Sequence, residues 1–447
     1  MAYGNKNGRL PYEKASKLGH LSIINSEWIQ SLIDDFESID DPLLGREELE
    51  WEKKKIDNKY ITDIWVVDGS FVPVTSSENG DFRKPAKEVA FIKTALLKLD
   101  FKSIESIDPI SPHPQILRDL MDNSAVYHST VLPLKNIKSS KGNNYDTVRH
   151  IIYDSIKYDC DGEFFETLKW IIYKKWNPKM NSSPKFECPH CRKINDGMLY
   201  DSEKEICSFC GKEILLTDVL GFYQNMNEES AQEIVASSYM SIMEHLMLFT
   251  AIRLLWDCED KTLINNTLFI KDGPLTLPSQ YAKLIPNIRE FIKFSMDNNR
   301  LLNIIGCEKS GRFFEHLQYI SKYTEELNND EIMYKIMTHG YIVNEVYRIA
   351  EQEEEPGHRT RWGERVLVKV DSDTFLVLNI PVYEFKKDKD APYKNDIVGL
   401  DIILNTIPHI ISRKYEGALL PVELANGIAS LSSYPSAKIL QYFISKK

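Results

Sequence analysis

The sequence predicts an α/β protein whose mixed sheet is flanked by helices, with a small cysteine-rich module inserted near the middle. Apolar runs rich in β-branched residues, typical of strands, are interspersed with long amphipathic helices along most of the chain. Two Cys-x-x-Cys pairs interrupt this pattern between residues 179 and 216, where apolar periodicity is weak. We therefore expect a core formed by residues 1–165 and 221–447, and between them, at 166–220, a basic and aromatic segment with a zinc ribbon.

The elements of the first part can be placed in order along the chain. Residues 27–36 form an amphipathic run preceded by a good helix cap, Ser26, and the charged residues 46–56 also favour a helix. Residues 61–74, ITDIWVVDGSFVPV, predict a strand. The later segment VAFIKTALLKL is a strand or a helix, and residues 144–178 are helical and rich in aromatic side chains.

The second part begins with a long helix pattern from residue 228 to about residue 256, with apolar side chains at helical spacing. The polar triplet Asp371-Ser372-Asp373 favours a turn between two apolar runs, so a β-hairpin is predicted there. In chain order we expect the strand 266–277, the helix 280–298, the strand 301–310, the hairpin 365–385 and helices near 395–410 and 421–444.

The composition excludes several classes of protein. The 447 residues are 43% hydrophobic and 27% charged, which is typical of a folded globular chain. No apolar run approaches the ~20 residues that span a bilayer, and the start lacks the apolar segment of an export signal. We therefore expect a cytoplasmic protein with no membrane contact. The net charge of −11 means that any contact with nucleic acid requires a local basic patch.

Four of the seven cysteines have the spacing of a zinc site. Cys188-x-x-Cys191 and Cys207-x-x-Cys210 are separated by fifteen residues, and two such knuckles place four thiolates around one Zn²⁺. Four thiolates leave no open coordination position, which favours a structural role for the ion. The module either stabilises the insertion or also grips DNA or a partner protein, and the spacing leaves both possibilities open.

A basic and aromatic segment leads into this module. Lysines interleaved with tryptophans suit a phosphate backbone and stacked bases, although a solvated helix face gives the same pattern. The residues that we expect to contact DNA are Lys169, Lys174, Lys175, Trp176 and Lys179.

Three acidic residues are candidates for a second metal site. Asp68 in WVVDGS and Asp272 in LFIKDGP each follow an apolar run and precede a glycine, a position that the sheet holds fixed while leaving the backbone open to a ligand. Glu244 lies among apolar residues of the long helix, where a carboxylate needs a partner or a metal ion. Carboxylates shared between hard cations form the sites of two-metal phosphoryl-transfer enzymes.

In this order along the chain, these motifs resemble the NurA nucleases, which act with HerA-type hexameric DNA-translocating ATPases. The resemblance covers most of the chain outside the cysteine module. The matching pieces are LPYEKASKLGH (10–20), WVVDGSFVPV, the helix around Glu244, LFIKDGPL (268–275), IIGCEKS (304–310) and ALLPVELANGIASLS (418–432).

The resemblance implies an RNase H-like core, a ring-shaped homodimer and Mn²⁺-dependent DNA cleavage, typically 5′ to 3′. It implies that Asp68, Glu244 and Asp272 bind Mn²⁺ or Mg²⁺ and that Lys309 contacts the phosphate. The family's late motif carries a histidine where this chain has Asn426. An amide can offer an oxygen to a metal ion but cannot shuttle a proton near neutral pH.

The leading hypothesis is therefore a metal-dependent deoxyribonuclease that cleaves single- and double-stranded DNA as an exonuclease or endonuclease. With a HerA-type translocase it would act in DNA end processing or in defence against phage. One rival is a weakened nuclease-like scaffold that docks on the ATPase and guides DNA, which Asn426 favours. A second rival is a zinc-ribbon adaptor that binds DNA through the cysteine module.

Overall fold

The computed structural model of the protein describes residues 26–36, 50–76, 86–105, 115, 124–135, 137–177, 181–328, 330–348, 356–412, 418–431 and 436–446. The motif at 10–20 and the predicted DNA contact Lys179 lie outside these residues. The chain divides into two compact units, Met1–Glu50 and Trp51–Lys447. In the first, helix α1 (Glu27–Asp34) begins after Ser26, whose Oγ accepts a hydrogen bond from the backbone N–H of Ile29 at 3.5 Å. The predicted helix and its cap are therefore confirmed.

Within the described part of the second unit, nine strands form one mixed sheet in the order β1-β11-β12-β13-β10-β9-β2-β3-β4, and two short hairpins, β5-β6 and β7-β8, stand apart. The strands are β1 (Glu52–Lys55), β2 (Asp63–Thr75), β3 (Glu88–Asp100), β4 (Ala125–Lys135), β5 (Phe186–Glu187), β6 (Ile194–Asn195), β7 (Lys204–Ile206), β8 (Glu213–Leu215), β9 (Thr267–Asp272), β10 (Asn303–Glu308), β11 (Glu331–Ile336), β12 (Gly363–Lys369) and β13 (Phe375–Pro381).

The centre of the sheet has the topology that the resemblance implies. Strands β2, β3 and β4 form an antiparallel meander, whereas β9 runs parallel to β2 and β10 runs parallel to β9. A three-stranded meander extended beside its first strand by two parallel strands is the arrangement of an RNase H-like core. The predicted fold class is confirmed.

Helices cover both faces of this sheet. They are α2 (Phe101–Glu105), α3 (Asn144–Tyr158), α4 (Glu163–Ile172), α5 (Glu233–Asp257), α6 (Ile285–Asp297), α7 (Arg312–Ile320), α8 (His339–Tyr341), α9 (Leu400–Thr406), α10 (Leu420–Ala429) and α11 (Ser436–Lys446). A π-helical turn (Ile342–Tyr347) continues α8.

Two apolar clusters lie on opposite faces of the sheet. Side-chain alternation along β2 sends Val67 into the cluster that contains α5 and Val66 into the cluster that contains α9 and α10. Helices α5 and α10 both cross β2, β3 and β9, one on each face. Helix α5 is long and apolar enough to span a membrane, but 78% of its apolar window is buried inside the protein. It is the central core helix.

One predicted helix is wrong. Part of the charged segment 46–56 forms the strand β1, which pairs antiparallel with β11 and occupies the edge of the sheet. Lysines suit an edge strand because they discourage further pairing. The Glu52 carboxylate on this strand accepts hydrogen bonds from the side chains of Tyr334 and Lys394, which come from distant parts of the chain. Pairing across the sheet has therefore overridden the local preference for helix.

Candidate functional site

Asp68 and Asp272 lie side by side where β9 ends against β2. The parallel register pairs Val67 with Lys271, so the next residues along the two strands, Asp68 and Asp272, are neighbours. Ile270 is buried in the cluster beneath α9 and α10, and alternation therefore directs the Asp272 side chain to that face. The same alternation directs Asp68 there, so the structure brings the two predicted aspartates together.

Glu244 approaches the same point from the opposite face. It lies on α5 and is 4% exposed. A Cβ built on Gly69 would stand 2.8 Å from Glu244 Oε1, 2.7 Å from Met240 Cγ and 2.9 Å from Thr94 Cγ2. The carboxylate can lie this close to the backbone of β2 because residue 69 has no side chain.

Two lysines hold two of the three carboxylates. Lys271 Nζ lies 2.7 Å from Glu244 Oε2 and also donates to the Asp272 carbonyl oxygen at 2.7 Å. Lys309, which follows β10, lies 2.8 Å from Asp272 Oδ2. Lys309 thus lies beside Asp272, and the phosphate contact that the resemblance implies for it stays a prediction. Lys271 was not singled out from the sequence, although a lysine inside the apolar run LFIKDG indicates a buried ion pair.

Asp68 has an environment that favours a cation. Its Oδ1 accepts a hydrogen bond from the Gly69 N–H at 2.7 Å, whereas its buried Oδ2 has no hydrogen-bond partner among the described residues. Burial, together with the negative charges of Asp272 and Glu244, raises the pKa of Asp68 to about 7. A divalent cation would supply the missing partner and offset the repulsion. Asp68 and Asp272, which share a face of the sheet, therefore fit the metal ion that the resemblance implies.

The acidic side chains are not gathered as tightly as the thiols. Among the described residues, the ligand atoms of the four cysteines all lie within 4.8 Å of one another, whereas those of Asp68, Asp272 and Glu244 do not. The lysine contacts account for part of this difference, since they draw Glu244 and Asp272 toward ammonium groups on either side.

Asn426 lies on α10, the helix that covers the face to which Asp68 and Asp272 point. Its own side chain is exposed, whereas its neighbours Leu424 and Ala425 are buried in the core. The role predicted for Asn426 at the metal site stays a prediction.

The four predicted zinc ligands converge. Cys188 Sγ lies 3.8 Å from Cys210 Sγ, and Cys191 Sγ lies 3.9 Å from Cys207 Sγ. Burial raises the pKa of Cys188 to about 12, whereas hydrogen bonds from the backbone N–H groups of Phe209 and Cys210 lower the pKa of Cys207 to about 7 although burial opposes its ionisation. A thiolate is the form that binds metal, so zinc binding to these thiols would release protons.

Each Cys-x-x-Cys pair is a tight turn that closes on itself. The Arg192 N–H donates to the Cys188 carbonyl and the Gly211 N–H to the Cys207 carbonyl, both at 2.9 Å. Residues 192 and 211 have φ values of 61° and 70°, a left-handed conformation that glycine adopts without strain in the second turn and that Arg192 adopts in the first. The two knuckles are built alike, as in a zinc ribbon.

The ribbon is part of the main core. Phe186, Met198 and Leu215 are buried in the cluster that also contains α5. Helix α3 contacts the first knuckle directly, since Tyr145 donates a hydrogen bond to the Pro189 carbonyl at 2.6 Å. The module therefore stabilises, and is stabilised by, the face of the sheet that carries Glu244.

The predicted DNA-contacting segment is largely internal, which corrects the sequence prediction. Lys169 is 6% exposed and pairs with Glu166, Asp201 and Glu203, and Trp176 is 7% exposed. Such side chains cannot stack on bases or reach a phosphate backbone in this fold.

Two further lysines of this segment, Lys174 and Lys175, are half-buried and also form ion pairs. Lys174 pairs with Glu290, and Lys175 lies 2.7 Å from Asp201. The sequence showed the excess of lysines between residues 169 and 193, but several of their acidic partners, Asp201, Glu203 and Glu290, are remote in the chain. The fold therefore neutralises part of this excess, whereas Lys185 and Lys193 remain exposed.

Comparison with solved structures gives a structural likeness. No family model matches this chain, and no curated protein matches it. Among solved structures, the chain is similar to the crystal structure of the NurA nuclease from Sulfolobus solfataricus, with 11% sequence identity and a TM-score of 0.36. The likeness covers 96% of this chain and 97% of that one.

Proposed function

We propose that this protein is a metal-dependent DNA nuclease whose Asp68, Asp272 and Glu244 hold Mn²⁺ or Mg²⁺. The observation that carries the proposal is that Asp68 and Asp272 directly follow the last paired residues of two neighbouring strands, and that the buried Asp68 Oδ2 has no hydrogen-bond partner among the described residues. Such a group is costly unless a ligand completes it. A hard cation is the ligand that carboxylate oxygens at this position favour.

The chain's own residues have separable roles in this proposal. When bound, the metal ion would lower the pKa of a water molecule and neutralise charge on the phosphate. Asp68, on the core strand β2, is held by the Gly69 N–H. Lys309 and Lys271 are positioning residues, because their ion pairs hold Asp272 and Glu244 in place.

We further propose that the four cysteines bind one structural Zn²⁺. The thiols have the count, spacing and convergence of a Cys₄ site, with every ligand atom within 4.8 Å of the others. The ion would hold the ribbon against α3 and the α5 face of the sheet. Its role is then to stabilise the side of the core from which Glu244 extends.

The resemblance of the sequence motifs supports the biological setting that we propose. The protein would act in the cytoplasm as a homodimer with a HerA-type hexameric ATPase, in DNA end processing or antiviral defence. The decisive experiment is degradation of linear DNA by the purified protein, alone and with that ATPase, in Mn²⁺, Mg²⁺ and EDTA. Cleavage that persists in EDTA, or that is unchanged in Asp68→Asn, would reject the proposed site.

A ribbon that binds nucleic acid is the second candidate, and one observation favours it. Phe209 at the second knuckle is 54% exposed, and the Lys193 Nζ lies 5.1 Å from its ring centroid. An exposed ring beside a cation suits a stacked base and its phosphate. DNA binding that survives Asp68→Asn but is weakened by Phe209→Ala would support this adaptor function in place of cleavage.

A further inference from the structure

A cavity of about 420 Å³ lies near Glu244 on the α5 face of the sheet. Its wall includes Ser241 of α5, Lys271 at the end of β9, and Thr276 and Ser279 from the segment that follows. Arg361 closes it where the chain enters β12. Lys271 belongs both to this cavity and to the ion pair with Glu244, so the cavity and the proposed metal site share a wall.

The lining is strongly cationic. Among the described residues it contains three cations, Lys271, Arg361 and Arg365, together with several hydroxyl groups, and it contains no carboxylate. The three cations are 4%, 1% and 8% exposed, which places them at the base of the cavity rather than at its rim. A ligand that reaches them must enter the cavity.

Each cation is paired on the side away from the cavity lining. Lys271 pairs with Glu244, Arg361 with Glu364 and Arg365 with Glu308, and none of these carboxylates belongs to the lining. The pairs explain how three charges can be buried together. Each of these side chains also borders the cavity, where an anion could make short-range charge-assisted contacts with it.

We propose that this cavity binds a terminal phosphate monoester of a DNA strand. The inference rests on the proposed nuclease function. A strand that merely crosses the surface would present phosphodiesters to the exposed rim, whereas only a chain end can place a phosphate against cations buried at the base. A monoester also carries up to two negative charges near neutral pH, which suits three clustered cations and their neighbouring hydroxyls. The cavity would thus recognise the end of the strand and set its distance from the carboxylates.

The first test measures binding without cleavage. Calorimetry of the zinc-loaded chain in buffer free of Mn²⁺ and Mg²⁺ would compare deoxythymidine 5′-monophosphate, its 3′-monophosphate and deoxythymidine. We expect at least one monophosphate to bind at least tenfold more tightly than the nucleoside, with an affinity that falls as salt rises. Equal affinity for all three compounds would overturn the proposal. The two monophosphates distinguish recognition of a 5′ end from recognition of a 3′ end.

A charge substitution at the rim provides the matched control. Ser279→Asp adds a negative charge at an exposed lining position and should weaken monophosphate binding by on the order of tenfold. Ser372→Asp adds the same charge at the exposed turn between β12 and β13, at the far end of strands that start beside the cavity, and should change nothing. Equal behaviour of the two variants would overturn the assignment of the cavity.

A cleavage assay separates this inference from the proposed function. Single-stranded oligonucleotides with a 5′-phosphate, a 3′-phosphate or only hydroxyl ends would be compared in Mn²⁺. We expect the parent to prefer the phosphorylated end that binds in calorimetry, and Ser279→Asp to reduce that preference. Cleavage with no preference among the ends rejects the inference and leaves the nuclease intact. Selective monophosphate binding with no cleavage of any DNA rejects the nuclease and leaves the anion cavity supported.

Discussion

Glu244 packs directly over Gly69, and a Cβ on residue 69 would lie only 2.8 Å from Glu244 Oε1. The close approach of α5 to β2 therefore depends on glycine at this position. Such a distance is too short for a methyl group, and Met240 and Thr94 crowd the same point. We expect Gly69→Ala to destabilise the protein by about 1–3 kcal/mol, as is typical of overpacking in a core. Because Glu244 must move, metal affinity and DNA cleavage should fall together. Chemical denaturation and metal titration measure the two effects.

Gly427 offers a matched control for this substitution. It lies within α10, and no heavy atom comes within 4 Å of a Cβ built there. Gly427→Ala should be neutral or should stabilise the protein by up to about 1 kcal/mol, since alanine favours a helix interior. If Gly69→Ala behaves like Gly427→Ala, then Glu244 is not held by the packing described here.

The proposed metal site can be tested through stability as well as activity. Asp68→Asn removes a buried carboxylate whose pKa is raised to about 7 by burial and by Asp272 and Glu244, so the metal-free variant should be at least as stable as the parent near pH 8. Asp68→Asn and Asp272→Asn should each abolish Mn²⁺-dependent cleavage and the rise in Tm that Mn²⁺ causes in the parent. Asp63→Asn, at the other end of β2, should retain both. A variant at Asp68 or Asp272 that still cleaves DNA would contradict the site.

Zinc content is predicted to be one ion per chain. Cys188→Ser and Cys207→Ser should remove it and destabilise the protein by at least about 3 kcal/mol, because both side chains are buried against the same core as α5. Cys258→Ser, in a thiol outside the ribbon, should keep the full zinc content. Less than half an equivalent of zinc in the freshly purified parent would count against the Cys₄ assignment.

The sequence predicted those parts of the molecule whose signals are local. The apolar runs ending at Asp68 and Asp272 gave the strand positions, and the cysteine spacing gave the ribbon. Features that depend on distant partners could not be predicted in the same way. The pairing of β1 with β11 and the burial of Lys169 among acids from the ribbon arise only when remote segments meet. The contact of Gly69 with Glu244 has the same origin, since the two residues come from opposite sides of the insertion.

Acid lability should arise in part from His316. Burial lowers its pKa from 6.5 to about 4, and its Nε2 lies 2.9 Å from the Tyr341 hydroxyl. Between pH 6.5 and about 4, the folded protein therefore keeps the ring neutral while the unfolded chain takes up a proton. The contribution of His316 to the free energy of unfolding is thus fully present above pH 6.5 and is lost as the pH falls toward 4. At pH 5 the loss from this group is about 2 kcal/mol.

His316→Gln tests this origin because the amide can still bond to the Tyr341 hydroxyl but does not titrate. Denaturant unfolding of parent and variant at pH 7 and pH 5 should show a smaller difference between the two pH values in the variant. His245 and His358 have lowered pKa values for the same reason, burial, so part of the acid sensitivity should remain. An unchanged pH dependence would mean that His316 is protonated, or exposed, in the folded protein.

Asn426 tests whether the late motif contributes to catalysis. The residue lies on α10, which covers the face carrying Asp68 and Asp272, and its side chain is exposed rather than buried in the core. If its amide helps to hold a metal ion or orient water, Asn426→Leu should lower the cleavage rate, whereas Asn426→His should preserve or raise it. Asn395→Leu, at another exposed asparagine, should leave cleavage unchanged.

The pH–rate profile separates this role from general-base catalysis by the residue itself. An amide has no titratable proton near neutral pH, so the parent profile should show no step near ~6.5 that would report an ordinary histidine. Asn426→His should introduce such a step only if the position faces the reacting groups. Cleavage by Asn426→Leu at the rate of the parent, with no new step in Asn426→His, would make this residue part of the helix surface. The proton transfers would then have to be assigned without the late motif.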